Sequence, residues 1–161
     1  MHIRPIQPSD AAALVALHES LSAETRRYRF FSLHPHLSDD EVRRFTSVDH
    51  VAREALVVED AGKIVAVGRF DRTGDGRGEV AFVVADRLQG HGLGTLLLRR
   101  LGQWALAHEI HVFEADVLAQ NHPMARTFRR WAESCTVTFG DGVLHFEMQI
   151  PSHVTTYQRS A

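Results

Sequence analysis

Cysteine is nearly absent from this chain: Cys135 is the only one in 161 residues. No internal disulfide can form, and a reducing, cytoplasmic setting is expected. Long apolar runs are missing too. The longest fall far below the ~18 residues a membrane-spanning helix needs, so no membrane partner is expected. The start, Met1-His2-Ile3-Arg4-Pro5, shows no apolar stretch of the signal-peptide kind. Nor is there an excess of one charge. The net charge is −2 and the isoelectric point near 6.6, which argues against nucleic acid as a partner. Repeats, low-complexity tracts and linkers are lacking. What remains is ordinary for a globular fold, with 44% apolar and 24% charged residues. The length suits one domain with a substantial core, expected to span 1–161.

The most informative stretch runs from Glu79 to His108. Residues 80–85 form a short apolar run rich in β-branched side chains, the pattern of a buried strand. Gln89-Gly90-His91-Gly92-Leu93-Gly94 follows, with three glycines at alternate positions. Leu93, Leu96, Leu97, Leu101 and Trp104 then recur on one face of a helix. Strand, glycine loop and helix together make a phosphate-binding arrangement. The first amides of a helix lack intrahelical partners and carry the positive end of its dipole. Glycine lets that backbone approach an anion closely. Two nucleotide loops are excluded. No lysine follows the glycines, so this is not a Walker loop. The dinucleotide fingerprint fails because its third glycine would fall on Leu97 or Thr95. Gln89-x-x-Gly92-x-Gly94 is left.

The other elements follow from periodicity and turn chemistry. A short strand is expected at 2–6, a helix start at Pro8-Ser9-Asp10, and a helix over 12–21. Residues 22–31 are polar, arginine-rich and aromatic, a second helix or helical turn that Pro35 should end. Ser38-Asp39-Asp40-Glu41 is a capping box that opens a helix running to about Val48. Strands at 54–59 and 63–70 are joined by Asp60-Ala61-Gly62. Residues 73–78 read as a flexible turn. After the central helix come a strand at 112–117, a helix at 121–134 with Pro123 in its first turn, and a hairpin at 137–139 and 143–150 around Gly140-Asp141-Gly142. The tail from Ser152 is polar and expected to fray. The fold class is therefore α/β of the α+β kind: a mixed, mostly antiparallel sheet of about six to seven strands flanked by helices.

On these residues the chain resembles the GNAT N-acetyltransferases. The motif Gln89-x-x-Gly92-x-Gly94 is similar to their acyl-CoA pyrophosphate loop, and the element order matches along nearly the whole chain. Ser22-Ala23-Glu24-Thr25, Tyr28-Arg29-Phe30-Phe31, Leu37-Ser38-Asp39-Asp40-Glu41, Phe45-Thr46, Val48-Asp49-His50 and Glu79-Val80-Ala81-Phe82-Val83-Val84 look like the acetyltransferase domain of bacterial Pat-type protein lysine acetyltransferases. The regulatory domain often fused there is not expected within these 161 residues, and regulation is not carried over. The resemblance implies acetyl-CoA as cosubstrate, no metal, and a protein lysine as acceptor, in a monomer or homodimer. It also implies that the strand before the loop splays from the next one, with pantetheine in the gap. Phe82, Val83 and Val84 would bind pantetheine through backbone groups, an N–H near Val83 polarising the thioester. Gly90, His91, Gly92, Leu93, Gly94 and Thr95 would bind the pyrophosphate, with Gln89 at the entrance.

Amide formation from a thioester needs a neutral amine, and a lysine of pKa ~10.4 is only about 0.04% neutral at pH 7. A general base lowers that barrier. Glu79 opens the apolar strand, and partial burial would raise its pKa towards the working pH. The resemblance implies the same role. The bland alternative is an edge carboxylate paired with Arg77 or Arg69. Asn121 matches a family asparagine that touches CoA; it would also serve as a helix cap accepting from Met124. Seven residues on, where many GNAT enzymes carry a tyrosine acid, stands Phe128, which has no proton to give. Tyr28 is a distant substitute, more naturally core.

Other features carry less. Arg126, Arg129 and Arg130 could hold the CoA 3′-phosphate, though a solvated helix face suits at least two of them. Asp39, Asp40, Glu41 and Asp49 could attract a basic substrate, but capping explains them. His34-x-His36 and His108-x-x-His111 lack the spacing and third ligand of a metal site. Cys135 reads as a small buried thiol. Two other functions compete with lysine acetylation: transfer to a small-molecule or N-terminal amine, and non-catalytic acyl-CoA binding or sensing.

Overall fold

The computed structural model describes residues 1–154. Strand β1 (His2–Pro5) leads through a 3-10 turn at Pro8–Asp10 into helices α1 (Ala11–Ser20), α2 (Ala23–Phe30) and α3 (Asp39–Thr46). Strands β2 (Arg53–Asp60), β3 (Lys63–Gly74) and β4 (Arg77–Val84) follow. Then come α4 (Leu93–Ala107), β5 (Val112–Leu118), α5 (His122–Trp131), β6 (Cys135–Gly140) and β7 (Val143–Gln149). The seven strands form one sheet in the order β1-β2-β3-β4-β5-β7-β6. Every neighbouring pair is antiparallel except β4 and β5.

Local chemistry sets most boundaries. Glu41 N–H donates to the Ser38 hydroxyl at 3.2 Å, and Ser38 N–H donates to the Glu41 carboxylate at 2.8 Å, so the capping box starts α3 as expected. Helix α2 stops four residues before Pro35, at Phe31, whose left-handed φ of 61° closes the last turn. The glycine-rich 73–78 segment is mostly strand, with only residues 75 and 76 between β3 and β4. Side chains hold it flat: the Thr73 hydroxyl donates to Glu114 at 2.8 Å, and so does Arg77. Cys135 is exposed, not buried, because β6 is the sheet edge and pairs only with β7. Fraying is expected from Ser152, but the chain there is ordered. Residues Ser152–Val154 form a 3-10 turn with Val154 buried, and 155–161 lie outside the described residues.

Side-chain alternation gives the sheet one apolar face and a second that is apolar where α1 covers it. On one, Phe70, Phe82, Phe113 and Phe146 pack under α4 and α5 with Trp104 and Phe128. On the other, Val67 and Val83 meet Leu14 and Leu17 of α1. Gly78 is needed where β4 meets β5. A Cβ there would fall inside the Phe70 ring and lie 2.7 Å from the Asp71 carbonyl oxygen. Gly78→Ala should therefore destabilise the fold by about 3 kcal/mol, at the upper end for overpacking. A urea melt checks this; a midpoint unchanged from wild type would show that the Phe70 ring moves freely.

Candidate functional site

The site begins where the sheet comes apart. The parallel ladder between β4 and β5 holds only Arg77↔Val112, Gly78↔Phe113 and Glu79↔Glu114. Yet β4 continues to Val84 and β5 to Leu118. On its other side β4 stays paired with β3 as far as Val84↔Ala66. The parity of that pairing decides which backbone groups are free. Ala85 N–H donates to Val65 O at 2.8 Å, and in an antiparallel ladder alternate residues point their polar groups to opposite sides. Val83 and Ala81 therefore face β3, and Val80, Phe82 and Val84 face the gap. The Val84 carbonyl does accept from that side, from Gln89 Nε2 at 3.1 Å. The N–H of Val83 itself is thus turned towards β3, and Phe82 and Val84, on either side of it, supply the open ones.

The gap is the floor of a cleft enclosing about 1710 Å3 of empty space, open to solvent. Phe82, Val83, Val84, Gln89, Gly90, Gly92, Leu93, Gly94, Thr95 and Asn121 all line it. His91 does not; its Nδ1 lies 2.9 Å from the Gln89 carbonyl. Gly90 and Gly92 take left-handed φ values of 76° and 83°, which favour glycine. Gly94 is different. It sits in the first turn of α4 with ordinary backbone, and a Cβ there would meet no atom within 4 Å. Glycine in a helix costs ~1 kcal/mol against alanine, and nothing in the fold requires it at Gly94. No side chain caps α4 either. Its first amides point into the cleft with the dipole behind them, an arrangement suited to a phosphate.

A clasp that sequence patterns did not reveal ties α2 to this loop. The Asp86 carboxylate accepts from the Ser22 N–H at 3.0 Å, the Ser22 hydroxyl at 2.6 Å and the Thr25 hydroxyl at 2.8 Å. Burial pushes its pKa up, but these hydrogen bonds outweigh it and hold the carboxyl below its usual range. Gln89 Nε2 also donates to Thr25 Oγ1, at 3.1 Å. Gln89 is therefore a strut of the loop. Tyr28 is not core: it lines the cleft, and its hydroxyl donates to the Gln120 carbonyl at 3.3 Å. The only local hint was Ser22-x-x-Thr25; the partner lies more than sixty residues away.

At the other end of β4, Glu79 is exposed, on the face of Ala81 and Val83. Its two expected partners are engaged elsewhere. Arg77 donates to Glu114 at 2.8 Å and lies 3.5 Å from Glu147, and Arg69 donates to the Phe45 carbonyl at 2.8 Å. Among the described residues the Glu79 carboxylate accepts no hydrogen bond. Although its surface is open, enough protein surrounds the carboxyl to raise its pKa, and the charges of Asp116, Asp71 and Glu114 add to this while Arg29 opposes it. Glu79 is the last β4 residue paired with β5 and does not itself line the cleft, whose β4 wall begins at Val80; an unpaired carboxylate of raised pKa at that boundary is chemically suited to act as a base.

Residues 14–132 match the family described as acetyltransferase (GNAT) family. The chain belongs to the GNAT family. It is 36% identical to the GNAT domain of S. lividans PAT, with a TM-score of 0.86 over 92% of this chain and 89% of that one. It is 29% identical over 154 residues to acetyltransferase Pat of Mycolicibacterium smegmatis, covering 93% of this chain and 46% of that protein. It thus spans about half the length of that curated relative. The Salmonella typhimurium protein yncA, solved with its cofactor acetyl-CoA, shares the fold at 22% identity, with a TM-score of 0.71 over 94% of this chain and 95% of that one. By family this is an acyltransferase domain, and acetyl-CoA is the cosubstrate of the GNAT fold.

The remaining positions of this GNAT domain sort by geometry. The Asn121 side chain accepts from Met124 N–H at 3.3 Å, so it caps α5 while lining the cleft. Arg126 and Arg130 line the cleft, whereas Arg129 lies 5.3 Å from the centre of the Phe146 ring. Asp40 pairs with Arg43, and Asp49 accepts from three successive backbone N–H groups, so these carboxylates serve local structure. Among the described residues no cluster could hold a metal ion, and no helix is long and apolar enough to cross a membrane.

Phe128 is 2% exposed, with ring centres 6.1 Å from Phe82 and 5.4 Å from Phe146. Phe128→Ala should lower stability by about 3–5 kcal/mol. Phe128→Tyr should keep the fold and cofactor binding, and should not slow turnover. Loss of turnover in a Phe128→Tyr protein that melts and binds CoA normally would show that this ring does not face the reacting sulfur.

Proposed function

We propose that this domain transfers the acetyl group of acetyl-CoA to a lysine amine of a protein, with Glu79 as general base. One observation carries the reading. A single strand, β4, brings together an unpaired carboxylate of raised pKa, backbone facing an open gap, and a glycine-rich helix start. The cofactor's pyrophosphate would rest on Gly90, His91, Gly92, Leu93, Gly94 and Thr95 through their backbone. Pantetheine would run along Phe82, Val83 and Val84 past Asn121. The thioester carbonyl would accept from a gap-facing N–H, that of Phe82 or Val84, which also stabilises the oxyanion.

Glu79 takes a proton from the incoming ammonium, directly or through one water, offsetting a barrier of about 4–5 kcal/mol at pH 7. The amine nitrogen bonds to the carbonyl carbon and releases its second proton to solvent, the tetrahedral intermediate collapses, and the C–S bond breaks. With Phe128 unable to donate, water protonates the departing thiolate. A lysine acceptor is supported by the carboxylates around Glu79, namely Asp71, Glu114 and Asp116, which favour an approaching cation. An exposed, unpaired Cys135 agrees with a reducing cytoplasm. Incubation with acetyl-CoA and cytoplasmic proteins, followed by mass spectrometry, tests the acceptor. Lys63 is the chain's only lysine, so acetyl-lysine at any other site belongs to a substrate. CoA release with small amines alone would instead favour a small-molecule acceptor, and binding without release a sensor.

A further inference from the structure

The β4–β5 ladder stops at a definite rung. Val112 N–H donates to Gly76 O at 3.1 Å and Ala119 N–H donates to Gly142 O at 2.9 Å. Even-numbered residues of β5 therefore turn their backbone polar groups towards β4, and odd-numbered ones turn them towards β7. Glu79↔Glu114 is the last pair. One rung further, Asp116 would stand opposite Ala81, with its N–H on the Val80 carbonyl and its C=O on the Phe82 N–H. That rung is missing, although both strands run on. Phe82 N–H is one of the two donors proposed above for the thioester oxygen. The acceptor it would otherwise have met, the Asp116 carbonyl, is left on the far lip of the gap.

The Asp116 side chain belongs to the same place. It lines the cleft. Alternation along β5 puts it on the face of Glu114, the partner of Glu79, so Glu79 and Asp116 rise from one face on opposite lips. The other carboxylates nearby are committed. Glu114 accepts from Thr73 and Arg77, both at 2.8 Å, and Asp71 accepts from Arg53 at 2.7 Å. Asp116 has a single partner, its cross-strand neighbour on β7: Oδ1 lies 2.5 Å from His145 Nδ1. Among the described residues its Oδ2 accepts no hydrogen bond. Asp116 and His145 are both half-exposed, so their pairing adds little to stability.

We propose that Asp116 binds the acceptor ammonium, through its carboxylate and its gap-facing carbonyl. An alkylammonium has three N–H donors. Asp116 takes two of them and leaves the third for Glu79. The reactants then fill the missing rung: the thioester oxygen takes the free donor of β4, and the amine takes the free acceptor of β5. A charge-assisted bond to the carboxylate favours a cationic amine over a neutral one. The inference rests on the cofactor placement proposed above, with the thioester at the Phe82 N–H.

Initial rates of the full chain with acetyl-CoA and two peptides test this. One is Gly-Gly-Lys-Gly-Gly blocked at both ends. The other carries an aminooxy group in place of the terminal methylene and ammonium of the lysine, which keeps the length and is neutral at pH 7. Asp116→Asn should raise KM for the lysine peptide about tenfold or more, the scale of a hydrogen bond to a charged group. KM for the aminooxy peptide should barely change. The loss is one of uniform binding, so kcat should hold, as should CoA affinity by calorimetry and the melting temperature. His145→Lys, which sets a fixed positive charge beside the same carboxylate, should also raise the lysine KM. Glu147→Gln, which removes a carboxylate from the same face but away from the gap, should not. An unchanged lysine KM in Asp116→Asn overturns the assignment. So does an equal rise for both peptides, which would mean lost packing, or an equal rise in Glu147→Gln, which would mean only a diffuse field. Wild type that acetylates the lysine peptide with no response to Asp116→Asn loses this inference alone; wild type that binds acetyl-CoA but acetylates neither peptide loses the proposed transfer as well.

Discussion

Replacing Glu79 by glutamine should reduce turnover ~10²–10⁴-fold while the affinity for acetyl-CoA barely changes. Glutamine keeps the size and shape of the side chain and removes its basicity. The proposed pyrophosphate contacts lie at the far end of β4, beyond Val84, so binding has no reason to respond. The fold has none either, because Glu79 is exposed and its carboxylate makes no hydrogen bond. The pH profile gives a second measurement. A base works unprotonated, so the wild-type rate should climb as pH rises through the Glu79 pKa. Burial and the neighbouring carboxylates set that pKa above the ordinary glutamate value. The climb should therefore sit at higher pH than for a free carboxylate, and it should vanish in Glu79→Gln. A Glu79→Gln protein with near-native turnover at pH 7 would sink the assignment and shift deprotonation to solvent.

Gly94→Glu should move stability and affinity in opposite directions. The backbone at Gly94 suits any residue, a Cβ there meets open space, and an acidic side chain in the first turn favours the α4 dipole. Thermal stability should hold or rise, by up to ~1 kcal/mol from removing glycine from a helix. The carboxylate would stand where a pyrophosphate is proposed to lie. Like charges about 5 Å apart at an effective dielectric near 20 repel by about 3 kcal/mol, so CoA affinity should fall at least about a hundredfold. Gly92→Asp is a less clean test, because the left-handed φ of 83° strains any side chain there. Calorimetry with CoA and a melting curve together decide: a well-folded Gly94→Glu protein with wild-type affinity would remove the loop from the binding site.

Much of the lining of the candidate cleft was legible in the chain. Gln89-x-x-Gly92-x-Gly94 falls on the loop and helix start it predicts, and Phe82 to Val84 line the cleft. Asn121 caps α5, and Glu79 stands at the mouth of β4. Other expectations failed for identifiable reasons. Tyr28 and Cys135 were assigned to the core by residue type, but one lines a cleft and the other sits on an edge strand. Glycines suggested a flexible turn at 73–78, where cross-strand contacts from Glu114 extend the ladder instead. Asp116 gave no sign of its place, because a carboxylate in a strand looks solvated until the missing rung beside it is located.

The sequence alone determined the elements and the loop chemistry. Capping boxes, helix faces, hairpin turns and a glycine-rich helix start depend on residues within a few positions of one another, so local spacing carries them. Only the tertiary structure decided which groups are free to act. The early end of the β4–β5 ladder opens the gap, and the register with β3 aims Phe82 and Val84 into it. Glu114 and Glu147 draw Arg77 away from Glu79, while Phe45 takes Arg69. Asp86 reaches back to Ser22 and Thr25, and Asp116 is brought to the far lip of the gap. Each of these depends on partners dozens of residues apart, and which partner wins is settled by strand order and register, which short-range patterns do not encode.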